Sequence, residues 1–286
     1  DSDADLERRF GGLRRLYGDA AYARLRATRV AVIGVGGVGS WAAEALARSG
    51  VAALTLIDLD HVAESNINRQ VQALGSTLGM AKVQALAQRV ADIHPGCVVQ
   101  CIEAFVDADN WPALLRDEDV DGVIDACDQV RAKHALAAWA LRTKTPFVCV
   151  GAAGGKQLPQ RVEVDDLAQA THDPLLAALR QRLRKSDGAA RQGAIGLRCV
   201  FSRELVRLPD AAACAGVLDG ILACYFYLSG VMVTSAFGLA AVGQTVGYLA
   251  VPFGVHVEAL PVTRTVGVVV LTVLLVWLWW RARTRD

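Results

Sequence analysis

Five short segments of the chain carry side chains whose types and spacing suit phosphate chemistry. Gly34-Val35-Gly36-Gly37-Val38-Gly39-Ser40 satisfies G-x-G-x-x-G. Missing side chains let the backbone approach a phosphate, and a helix opening behind the glycines offers N–H donors to the anion. Asp58 lies nineteen residues beyond Gly39, where a carboxylate takes ribose hydroxyls, and Asp60 follows it. Up to this point a nicotinamide-dependent dehydrogenase is equally allowed. Asn66-Ile67-Asn68-Arg69-Gln70 and then Lys82 decide between the two. A dehydrogenase has no need of Arg69 and Lys82 here. A triphosphate does, because its charge must be neutralised and a leaving pyrophosphate stabilised by cations aimed at it. Asp125-Ala126-Cys127-Asp128 adds two carboxylates. Carboxylate oxygens beside phosphate oxygens are what Mg²⁺ selects.

These residues need a scaffold that brings them to one edge. Arg29 to Ile33, Ala53 to Asp58, Gly122 to Cys127 and Pro146 to Val150 are short apolar runs of the kind that form buried parallel strands. Cys97 to Phe105 is also strand-like, and Gln160 to Val164 alternates as an edge strand does. Helical stretches lie between them at Trp41 to Ser49, Gly79 to Ile93 and Val130 to Arg142. Alternating strands and helices predict an α/β fold with a doubly wound, Rossmann-like sheet. The candidate residues fall at strand C-terminal ends, the ligand edge of such a sheet. The expected organisation is one domain over 1–257, with a nucleotide-binding core at 28–165 and a helical part at 166–257, then a hydrophobic tail at 258–286.

Composition narrows the classes. The chain has 286 residues, 53% of them hydrophobic, which excludes a disordered polypeptide. Thirty basic and twenty-nine acidic residues give a net charge of +1, so any basic surface must be local. One such run exists. From Arg180 to Arg207 eight basic residues face two acidic ones, a local net of +6. Arg180, Arg182, Arg184, Lys185 and Arg191 are candidate nucleic-acid phosphate contacts, against the competing reading of a solvated helix face. Arg9, Arg14 and Arg15 form a second candidate patch. Seven scattered cysteines with no Cys-x-x-Cys pair exclude zinc ribbons and fit a reducing, cytoplasmic compartment. No apolar run occupies Asp1 to Phe10, so no signal peptide is expected there.

The ordered set of GxGGxGS, DxD, NxNRQ, Lys and DxxD resembles the adenylating domain of the ThiF/MoeB group of the ubiquitin-activating-enzyme-like superfamily. Arg15-Leu16-Tyr17-Gly18, Gly151 to Lys156, Asp173-Pro174-Leu175, Cys199 to Ser202 and Val231 to Gly238 are similar to the tRNA threonylcarbamoyladenosine dehydratase family. The likeness runs over residues 8 to about 245. It implies ATP-dependent cyclisation of threonylcarbamoyladenosine at position 37 of tRNA through an adenylated carboxylate. It implies ribose binding by Asp58 and phosphate binding by Asn66, Arg69 and Lys82 around Gly34, Gly36, Gly37 and Gly39, with Asp60 nearby. It also implies Mg²⁺ on Asp128, with Asp125 behind it. Arg69, Lys82 and Asp128 are the residues it makes catalytic. A homodimer is expected by the same analogy. Cys199 and Cys224 become candidate reactive thiols, with a sulfur-transfer or cysteine-desulfurase partner, against the reading of both as core. The alternatives are adenylation of a ubiquitin-like or sulfur-carrier protein, or a membrane-tethered ATP-binding module without turnover.

The tail lies outside that likeness. Thr265 to Trp280 has sixteen uncharged residues between Arg264 and the arginines at 281, 283 and 285. As a helix it spans about 24 Å, short of a hydrocarbon core of about 30 Å. Snorkelling arginines and a belt of Trp277, Trp279 and Trp280 would cover the difference. A C-terminal membrane helix is therefore expected, with a buried helix as the competing reading. The uncharged stretch from Gly220 to Val257 is broken by glycines and Pro252, which favours core packing, with a membrane segment as the competing reading.

Overall fold

The computed structural model describes residues 5–115 and 120–207. Cys224, the 220–257 stretch and the 265–280 tail lie outside the described residues. Among the described residues no helix is long and apolar enough to cross a membrane.

The sheet has seven strands: β1 (Arg29–Ile33), β2 (Ala53–Ile57), β3 (Val98–Ile102), β4 (Gly122–Asp125), β5 (Phe147–Val150), β6 (Val162–Asp166) and β7 (Arg198–Ser202). Their order across the sheet is β3-β2-β1-β4-β5-β7-β6. All neighbours pair in parallel except β6 with β7. The chain builds outward from β1 in one direction, then returns to build from β4 in the other. The carboxyl ends of β1 and β4 thus flank a topological switch point, where open α/β sheets bind ligands.

Among the described residues six α-helices flank the sheet: α1 (Leu6–Phe10), α2 (Gly12–Ala27), α3 (Gly39–Arg48), α4 (Lys82–Ile93), α5 (Val130–Thr143) and α6 (Pro174–Ser186). Successive strand side chains point to opposite faces, so β1 serves two cores. Val30 and Val32 pack with Leu46 of α3 and Leu86 of α4. Ala31 and Ile33 pack with Leu136 of α5 and Leu179 of α6. This two-sided burial explains why the strands read as continuous apolar runs rather than alternating ones.

Two elements depart from the sequence expectation. The polar opening of the chain is helical, because Phe10, Leu13, Tyr22 and Leu25 sink into the core while the charges between them stay outside. Strand β7 lies beyond the expected core boundary at residue 165, yet it inserts between β5 and β6 in the same sheet.

Helix α6 is tied to the sheet edge at its start. Asp173 caps it by accepting a hydrogen bond from the Leu176 amide at 2.9 Å, with Pro174 in the first turn. Its second oxygen accepts from the Ala152 amide at 2.8 Å, just past β5. The side chain is buried. Asp173→Ala removes both bonds and is expected to cost about 2–3 kcal/mol, read as a lower urea midpoint with an unchanged slope.

Candidate functional site

The glycine turn follows β1 and opens α3. Two of its glycines are demanded by the protein itself. A Cβ on Gly39 would stand 1.8 Å from the Gly34 carbonyl oxygen. One on Gly34, whose φ is +81°, would stand 2.9 Å from the Cys127 amide nitrogen. The other two are free of such contacts: at Gly36 a Cβ meets nothing closer than the Gln70 side chain at 4.0 Å, and at Gly37 nothing closer than Arg69 at 3.5 Å. Gly34 and Gly39 thus close the turn on itself and on the β4–α5 turn. Gly36 and Gly37 keep the outer surface bare for a phosphate, at a helix N-terminus.

The other candidate residues arrive at this turn through their own bonds. Asp58, at the end of β2, accepts from the Val35 amide at 2.8 Å and from the Asp60 amide at 2.9 Å. Asp60 receives the Lys82 ammonium at 2.6 Å, and Lys82 is buried at the start of α4. An ammonium has three donors, so this one can hold Asp60 and still face a phosphate. Arg69 lies with its Cγ and Cδ against Gly37. Its Nη1 donates to the Ser65 carbonyl and to Asn68 Oδ1 at 3.0 Å. Asn66 is buried, and its Oδ1 accepts from the Ala63 amide at 3.0 Å. Its carbonyl accepts from the Arg69 and Gln70 amides. Asn66 therefore builds the turn that presents Arg69, and only its Nδ2 is left to reach a phosphate.

The two carboxylates of DxxD part company. Asp128 is exposed and has no hydrogen-bond or ion-pair partner among the described residues. A free hard-oxygen donor beside a phosphate cradle fits Mg²⁺. Asp125 is wholly buried and ion-paired to the equally buried Lys133 at 3.1 Å. It also accepts from the Cys127 amide at 3.2 Å and from the Cys127 and Cys149 thiols. Those partners engage both of its oxygens, so the side chain sits beneath the turn, behind Asp128. Burial alone would push the Lys133 ammonium down, but the Asp125 carboxylate holds it above the usual lysine range. Burial, and the same carboxylate, push the Cys127 thiol well up.

Further corrections concern the thiols and the basic run. Cys199 sits in β7 with no exposure, so it is a core residue and not an accessible nucleophile. Arg180 donates through Nη1 to the Leu167 and Ala170 carbonyls and ties α6 to the preceding turn. Arg184 donates to the Ala190 carbonyl, and Arg203 pairs with Glu163 and Asp165. Arg182, Lys185 and Arg191 remain exposed. At the N-terminal patch, Arg9 caps α4 through the Asp92 and Ile93 carbonyls, and Arg14 pairs with Glu7 and Asp19. Arg15 is exposed, without a partner among the described residues.

Three residues of the site escaped sequence reasoning. Gln72, almost wholly buried, donates to the Val35 carbonyl at 2.8 Å. Trp41 donates from Nε1 to the Arg69 carbonyl at 3.0 Å. Lys133 carried a readable signal: it sits three and four residues before the buried Leu136 and Ala137, on the apolar stripe of its helix.

A mostly parallel sheet with a glycine turn, a carboxylate after β2 and two cations at its switch point has the layout of a Rossmann-like, adenylating type of nucleotide-binding protein. Comparison narrows this. Residues 9–268 match the ThiF family. A tRNA threonylcarbamoyladenosine dehydratase from Escherichia coli K12 is 42% identical over 252 residues, which is 85% of this chain and 93% of that protein. One from Haemophilus influenzae is 38% identical over 247 residues, 86% and 94% respectively. The crystal structure of the E. coli dehydratase, TcdA, in complex with ATP matches with a TM-score of 0.69 at 42% identity, covering 82% of this chain and 98% of that one. The chain belongs to the ThiF family and, within it, to the tRNA threonylcarbamoyladenosine dehydratases.

The glycine geometry separates two substitutions. Gly39→Ala is expected to disrupt the turn and lower the melting temperature by several degrees, because backbone must move to admit the methyl. Gly36→Ala leaves the melting temperature unchanged and weakens ATP binding by roughly tenfold, since it intrudes only where a phosphate lies. Thermal melting paired with ATP titration distinguishes them.

Proposed function

We propose that this chain cyclises threonylcarbamoyladenosine at position 37 of tRNA, at the expense of ATP. The observation that carries this reading is the assembly of Asp58, Arg69, Lys82 and the unpartnered Asp128 around one glycine turn, in a chain so similar to the dehydratases. Asp58 would hold the ribose. The bare backbone at Gly36 and Gly37, with Arg69, Lys82 and the Asn66 amide, would hold the phosphates. Asp128 would hold Mg²⁺, which supplies charge neutralisation when bound. The carboxylate of the modified base attacks the α-phosphorus, forming an acyl adenylate and releasing pyrophosphate. An internal nucleophile of the same modification then attacks the carbonyl, closes the ring and expels AMP. Water is the net loss from the base, its oxygen leaving with AMP. The chain's contribution is to hold the reacting groups together and to neutralise the departing charge.

Arg182, Lys185 and Arg191 are the cations proposed to meet tRNA phosphates. A homodimer, a sulfur-transfer partner and membrane attachment through residues 265–280 belong to the same proposal, resting on family analogy for the first two and on the tail's composition for the third. Adenylation of a carrier protein is the competing activity, and the tRNA-specific relatives weigh against it.

The decisive experiment is incubation with ATP and threonylcarbamoylated tRNA, followed by nucleoside mass spectrometry. The expected product is lighter by one water. Pyrophosphate release stimulated only by a carrier protein would reverse the assignment. Arg69→Ala and Lys82→Ala are each expected to lower kcat by about a hundredfold or more while melting cooperatively, as loss of a preorganised charge does. Lipid-vesicle flotation tests the tail: the full chain should float, and a variant ending at residue 257 should not.

A further inference from the structure

We infer that Lys133 is a positioning residue that sets the metal-binding turn through Asp125. This rests on the reading of Asp128 as the Mg²⁺ carboxylate. Lys133 and Asp125 form a wholly buried charge pair at the seam of β4, β5 and α5. The Lys133 ammonium makes four contacts. Besides the Asp125 carboxylate, it donates to the Asp125 carbonyl at 3.3 Å, to the Val150 carbonyl at 2.7 Å and to the Cys149 sulfur at 3.6 Å. One side chain on the first turns of α5 therefore pins the last residues of two neighbouring strands.

What it pins is the turn that carries Asp128. The Asp125 carboxylate, oriented by Lys133, accepts the Cys127 amide and thiol. The Ala126 amide donates to the Ile33 carbonyl at 2.8 Å, at the foot of the glycine turn. Asp128 is the next residue and has no bond of its own among the described residues. Its position is inherited from the backbone of 125–127, and that backbone is fixed from below by the buried pair. The glycine turn touches this backbone where Gly34 meets Cys127, but it keeps further ties of its own through Asp58, Gln72 and the Ile57 carbonyl. Loss of Lys133 should accordingly reach the metal side of the site and spare the nucleotide side. A buried ion pair is weak evidence of stabilisation in itself, so a role in placing Asp128 accounts for charges where apolar residues would pack as well.

The test compares the wild-type chain with Lys133→Met, with the neutral double variant Asp125→Asn/Lys133→Met, and with Leu136→Ala as a core-destabilised control on the same helix. ATP binding is titrated calorimetrically without and with Mg²⁺, and turnover is measured on modified tRNA. In the folded double variant, metal-free ATP affinity should stay within about threefold of wild type. The gain in affinity on adding Mg²⁺, and kcat, should each fall by about tenfold or more, the scale seen for residues that orient metal ligands. KM for tRNA should stay within about twofold, and Leu136→Ala should show none of these losses. A folded double variant with the wild-type Mg²⁺ gain and kcat would overturn the inference. So would equal losses in Leu136→Ala, or failure of both Lys133 variants to fold, which would assign the pair to the fold alone. If wild type itself gains nothing from Mg²⁺, it is the reading of Asp128 that fails.

Discussion

Backbone must pass backbone at the centre of this protein with almost no room to spare. The Gly39 α-carbon sits so near the Gly34 carbonyl that a methyl group would overlap it, and Gly34 in turn lies against the amide of Cys127. That double approach joins the β1–α3 turn to the β4–α5 turn across the switch point. Everything that follows in the site is hung from the joint. Asp58 reaches it from β2 through the Val35 amide, Arg69 lies along Gly37, and Asp128 leaves from its far side. No other residue type could stand at Gly39, because the obstacle is a main-chain oxygen and not a side chain that could turn away.

Charge in the site is held on internal partners. Lys82 rests on Asp60, and Arg69 on the Ser65 carbonyl and Asn68. A cation kept close to its working place by weak, exposed partners needs little reorganisation when a phosphate arrives. Lys133 differs, since it and Asp125 are both fully withdrawn from water. There the partners are permanent, and removing either leaves a buried charge uncompensated, at a cost of about 3–5 kcal/mol.

The same economy thins the surface charge. The run from Arg180 to Arg207 is strongly basic in sequence, but Arg180, Arg184 and Arg203 spend their guanidinium groups on local carbonyls and carboxylates. The exposed remainder is Arg182, Lys185, Arg191 and Arg207. Arg9 and Arg14 are likewise consumed by the helices around them. Arginine suits this use because its planar fork can satisfy two carbonyls at once.

The sequence by itself determined the strand–helix alternation and the sheet class, and it named the candidates for the nucleotide site. Strands buried on both faces read as apolar runs, and a phosphate cradle needs glycines, carboxylates and cations in a fixed order along the chain. It also placed Gln160 to Val164 at a sheet edge, where β6 lies. What only the tertiary structure decided is which of those groups is buried on internal partners and which stays exposed. Asp125 and Asp128 are three residues apart and of one chemical type, yet one is paired beneath the turn and the other is exposed, without a partner among the described residues. Cys199 reads as a possible nucleophile until it is found buried within β7, and Asn66 as a phosphate ligand through either end of its amide until its oxygen is found capping a turn. Such assignments depend on contacts between residues far apart in the chain, Lys133 with Val150 or Gln72 with Val35, and no local pattern records a contact of that kind.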